Sequence, residues 1–115
     1  MGKVLQVRVM AYTFDPDDVR RTWPLLYTQV WGERSPRPDE MRGVAELVQA
    51  LDDGLRFEPW DGRVKKVLEP GVRSLSALMQ QLETALGDWD PRQANSLSER
   101  IEEGLSELEK ELAKA

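Results

Sequence analysis

The chain of 115 residues has no cysteine and no histidine. Without cysteine there is no disulfide framework, no thiolate nucleophile and no zinc–thiolate site. Without histidine it lacks the side chain most used for proton transfer near neutral pH, which is also the commonest metal ligand. No serine stands in a nucleophile-elbow pattern, and the base such a serine uses is the missing imidazole. Long apolar runs are missing too, and nothing approaches the roughly 18 residues that cross a bilayer. Gln6 and Arg8 interrupt what would be the apolar core of a signal peptide, and Gln6 does not suit myristoylation after Met1-Gly2. These absences lead to the expectation of one soluble, cytoplasmic domain over residues 1–115, with neither cofactor nor metal, no membrane partner and little support for an enzyme.

What is present is mostly helical pattern and charge. Apolar residues make up 40% of the chain and charged residues 32%, on the hydrophilic side of globular but short of disorder. The charge is uneven: residues 1–73 carry 12 basic and 12 acidic side chains, whereas residues 74–115 carry 4 and 9. The net charge of −5 therefore lies in the C-terminal part, which argues against a phosphate-backbone partner there.

One stretch reads as strand. From Val4 to Phe14, Leu5, Val7, Val9 and Ala11 alternate with Val4, Gln6, Arg8, Met10 and Tyr12. An isolated strand leaves its backbone groups without partners, so the segment needs a mate. The short alternating run Leu55 to Glu58 is one candidate. A second copy of the chain, paired across a two-fold axis, is the other, and it is preferred because four residues would leave most of an eleven-residue edge unpaired.

The remainder divides at helix-start and helix-stop signals. Asp15-Pro16 opens a helix with Phe14 and Val19 as a hydrophobic staple, and Pro24 predicts a kink or two short pieces near Trp23. Val19, Trp23, Leu26, Tyr27 and Val30 form its buried stripe. After the loop Gly32 to Arg37, Pro38-Asp39-Glu40 is expected to open a helix with Met41, Val44, Leu47, Val48 and Leu51 inside, closing at Gly54. Leu68, Val72, Leu75, Met79, Leu82 and Leu86 then keep one register across Pro70, so a single kinked element is expected. Asp90-Pro91 with Gln93 starts a last helix whose Leu97, Ile101, Leu105, Leu108 and Leu112 repeat at eleven residues, near 3.67 per turn, the spacing of an almost straight helix. The short Gly87 to Asp90 connection makes the last two helices an antiparallel hairpin. The fold class is thus mainly α, a bundle of four or five helices with the N-terminal strand along one side.

Candidate functional residues are few. All four tryptophans stand at element boundaries. Trp23, Trp31 and Trp60, together with Arg8, Met10 and Tyr12 from the strand, form the candidate interaction surface, while Trp89 is expected to pack against Ala85 and Ala94. Glu99, Glu103, Glu107 and Glu111 form an i,i+4 carboxylate ladder, read as a solvated face partly offset by Arg100, Lys110 and Lys114. Arg20-Arg21 and Lys65-Lys66 are the only adjacent basic pairs, and neither sits in a glycine-rich phosphate cradle. The leading expectation is a non-enzymatic protein-interaction or accessory module of a bacterial-type cytoplasm, homodimeric through the strand. The alternative is a small-ligand-binding or enzymatic protein with a pocket between the Trp-rich helix ends and Arg20, Arg21 or Arg63.

Overall fold

The computed structural model describes residues 5–7, 11–13 and 15–115. Among these, five helices dominate: α1 (Pro16–Thr22), α2 (Pro24–Trp31), α3 (Val44–Phe57), α4 (Gly62–Gly87) and α5 (Pro91–Lys114). Two three-residue strands precede them, β1 (Leu5–Val7) and β2 (Ala11–Thr13), paired antiparallel with Leu5 opposite Thr13. The continuous strand expected over Val4 to Phe14 includes residues 4, 8–10 and 14, which lie outside the described residues, as does the Phe14 half of the staple.

The helix starts follow local chemistry. The Asp15 carboxylate accepts from the Asp17 amide at 3.0 Å, Asp61 from Arg63 at 2.8 Å and Asp90 from Gln93 at 3.1 Å, each satisfying an orphan donor of the first turn. Pro24 ends α1 as expected: Trp23 stands between two short helices with non-helical backbone. α2 has no capping side chain of its own. Its first amides, those of Leu25 and Leu26, instead donate to the two carboxylate oxygens of Glu109 on α5, both at 2.9 Å. The neighbouring Trp23 indole N–H donates to Ser106 Oγ at 3.1 Å, so one turn of α5 holds the α1–α2 junction in place.

α3 departs from its expected bounds at both ends. It starts at Val44 rather than at Pro38, because Glu40 is drawn into a cluster of guanidinium groups and Gly43 becomes the cap, its amide donating to Glu46 Oε1 at 3.0 Å. Met41, expected inside, is 65% exposed. Gly54 does not close the helix, which continues to Phe57, so Leu55 to Glu58 is not a strand and supplies no mate for the N-terminal segment. Gly54 is buried under the Trp60 indole, where a Cβ would collide with the ring.

α4 runs unbroken through Pro70 for 26 residues, and α5 returns beside it. Gly71 faces Leu108 and Gly104 faces Leu75, which fixes the pair as antiparallel. A Cβ at Gly104 would lie 2.9 Å from Leu75 Cδ2, so glycine sets how closely the two helices approach. The core is contributed by all five helices, with Val19, Trp23 and Leu26 joining Leu47, Leu51, Leu68, Leu75, Leu82, Leu97, Ile101 and Leu105 at under 2% exposure. Burial of a side chain of that size is worth about 1.5–3 kcal/mol, so the register of these leucines is what specifies the bundle. No described helix is long and apolar enough to cross a membrane.

Candidate functional site

The segment between α2 and α3 is charged and contains two prolines, and it is ordered by one buried arginine. Arg42 is 3% exposed. Its Nη1 donates to Tyr27 Oη at 2.8 Å and to the Arg34 carbonyl at 2.9 Å, and its Nη2 donates to Glu40 Oε2 at 3.1 Å. The guanidinium lies 5.6 Å from the Tyr27 ring and 5.2 Å from the Trp31 ring, within cation–π range, and the two rings meet edge to face at 4.9 Å. Arg34 grips the same carboxylate with both terminal nitrogens, at 2.8 and 3.1 Å, and the Arg37 amide adds a further bond at 3.2 Å. Held first by the Arg34 hydrogen bonds, and then by the Arg37 amide and Arg42, the Glu40 carboxyl falls to about 2.

That clasp fixes Trp31 and Met41 at one end of an open groove between α3 and α4. The groove holds about 640 Å³. Its floor and walls take Ala45, Val48, Gln49 and Asp52 from α3, and Ser76, Met79 and Gln80 from α4. Small and polar residues on the facing helix surfaces leave the space between them unfilled. Among the described residues Glu46, Asp52, Asp53 and Glu83 supply four carboxylates to the lining, against the single guanidinium of Arg56. Arg56 pairs with Asp52 at 3.4 Å, and Gln49 donates to Asp53 at 3.0 Å. A second open hollow shares Gln80 with the first and adds Asp88 and Asp90 at the α4–α5 turn, so the acidic surface continues across α4.

The residues singled out from the sequence are dispersed. Arg8 and Met10 lie outside the described residues, and Tyr12 is in β2. Trp23 is in the core at 1% exposure, Trp60 is half-buried over Gly54, and only Trp31 reaches the groove. Trp89 departs from its expected packing: it is 72% exposed, while Ala85 and Ala94 are buried without it. Arg21 is tied to Asp15 and Asp18, and Arg63 lines a separate hollow with Asp61 and Leu112. Met41 and the acidic wall were missed. Their only sequence signal is that Met41 stands three residues before Val44, which continues helical spacing backwards even though the helix itself does not extend that far.

Among the described residues no cluster of three carboxylates is placed to hold a metal ion. Of the groove carboxylates, Asp52 engages Arg56, Asp53 accepts from Gln49, and Glu46 accepts from the Gly43 amide. Comparison with protein-family models, with curated proteins and with solved structures finds no match.

Proposed function

We propose that the protein is a non-enzymatic interaction module whose α3–α4 groove docks another protein. The observation that carries this reading is Met41, 65% exposed at the mouth of a groove beside the half-buried Trp31. A thioether and an indole lining one groove offer an adaptable apolar contact of the kind partner surfaces use. The groove is open along its length, so a small molecule would remain largely in water, and most ligand pockets enclose their ligand far more completely. The small-ligand reading has one point in its favour, that Trp31 and Arg56 share the groove, but Arg56 is already paired with Asp52.

A photo-crosslinking side chain placed at Gln49, in the groove, tests the reading in the native cell. A discrete protein adduct at Gln49, absent when the same group replaces Glu107 on α5, is the expected result. No adduct, or the same adducts from both positions, would remove it.

The homodimer suggested by the N-terminal segment is a second contact belonging to the same reading. Pairing of β1 with β2 gives part of that segment a mate within the chain, so the support for self-association narrows to the outer edges of the pair.

A further inference from the structure

We propose that the occupant of the α3–α4 groove is a single amphipathic helix of a partner protein, basic along its flanks and bearing a bulky aliphatic side chain that seats against Met41 and Trp31. The inference rests on the docking role of the groove and specifies its ligand. Shape supplies the first argument. From Ala45 to Arg56 the α3 wall extends about 17 Å at 1.5 Å per residue, and from Ser76 to Glu83 the α4 wall extends about 10 Å, so about two turns of a third helix can lie between both walls.

Charge supplies the second. Among the described residues four carboxylates line the groove, and the one guanidinium there is already paired with Asp52. Among the described residues the adjoining hollow across Gln80 adds Asp88 and Asp90 and no basic side chain. An acidic wall of this kind attracts lysine and arginine and repels phosphate, so nucleic acid and anionic lipid are the wrong ligands. A second copy is also the wrong ligand for this surface, because a two-fold contact would press the acidic wall against itself. Met41 supplies the third argument, since an unbranched thioether adapts to an aliphatic anchor at a helical i, i+3, i+4 spacing.

The test uses the full chain and a fluorescein-labelled model helix of about 18 leucine and lysine residues in amphipathic order, long enough to be helical. Two controls have the same length, one with glutamate in place of lysine and one with the leucines and lysines scrambled. Fluorescence anisotropy should show the amphipathic basic peptide binding and both controls failing to bind. Met41→Ser, and separately the pair Asp53→Lys with Glu83→Lys, should each weaken binding by about ten-fold or more. Glu103→Lys on α5 should leave it unchanged. All the substituted positions are exposed, and circular dichroism of each variant confirms that the helices remain.

Absence of binding, equal binding of the scrambled peptide, or binding that survives Met41→Ser would overturn the proposal. If Gln49 crosslinks a protein while the basic helix does not bind, the groove docks a partner of other chemistry: the basic-helix proposal falls and the docking role stands. If neither occurs, both fall.

Discussion

Trp89 follows α4 with φ at 56°, the only positive φ at a non-glycine position among the described residues. The Asp90 amide donates to the Ala85 carbonyl at 2.9 Å and the Trp89 amide to Leu86 at 3.2 Å, the two bonds of a Schellman end with tryptophan where glycine is usual. A left-handed residue with a bulky side chain costs about 1–2 kcal/mol. Trp89→Gly should therefore raise stability by about 1 kcal/mol, with the melting temperature higher by roughly 4 °C in calorimetry; an unchanged or lower value would show that the exposed ring packs on something. This residue also marks a limit of sequence reading. Its neighbours Ala85 and Ala94 were legible as buried, but the direction of the indole depends on a backbone angle that no spacing rule encodes.

Glu40 gives a second prediction at the same scale. Its folded-state pKa lies below its ordinary value of 4.5, so protons bind preferentially to the unfolded chain. The stability Glu40 contributes is present above pH 4.5 and is lost as the pH falls towards about 2. Denaturation of the wild type and of Glu40→Gln should differ most near neutral pH and converge at the acid end of that window. A difference that stays constant across it would refute the assignment.

At the scale of elements, the boundaries that were legible are those with a local cause. Asp15 and Asp90 each cap an amide two or three residues on, and Pro24 splits α1 from α2 whatever surrounds it. The start of α3 was not legible, because Pro38-Asp39-Glu40 carries a good local signal that Arg34 and Arg42 override by taking the carboxylate. The cap of α2 was equally hidden, since Glu109 lies 83 residues beyond Leu26 in sequence and looks like one more glutamate on a charged face. Glu109→Ala should cost about 1 kcal/mol, the usual worth of a capping carboxylate, and hydrogen exchange should quicken at the Leu25 and Leu26 amides in particular. Equal protection in the variant would mean that α2 is held by apolar packing alone.

For the whole molecule, the mainly α bundle and its core register could be read from leucine periodicity, because burial on one helix face is a property of one helix. The groove could not. Ala45, Gln49 and Asp52 read as an ordinary solvated face, and nothing in that pattern says that Ser76 and Gln80 opposite would leave space between the helices. Oligomeric state belongs to this scale. Multi-angle light scattering at micromolar concentration should return twice the 13.2 kDa of one chain if the N-terminal edges pair, and 13.2 kDa if they do not.

The anchoring of the α1–α2 junction by Ser106 and Glu109 has a consequence in time as well as in space. A ribosome makes Trp23 and Leu25 long before the residues that hold them, and the 84 positions separating Leu25 from Glu109 take roughly 4 to 17 s to synthesise at bacterial-to-eukaryotic speeds. Throughout that interval the indole and the bare amides have no native counterpart. The nascent chain therefore reaches its mature form from the rear, when α5 emerges and closes over elements that have been waiting for it.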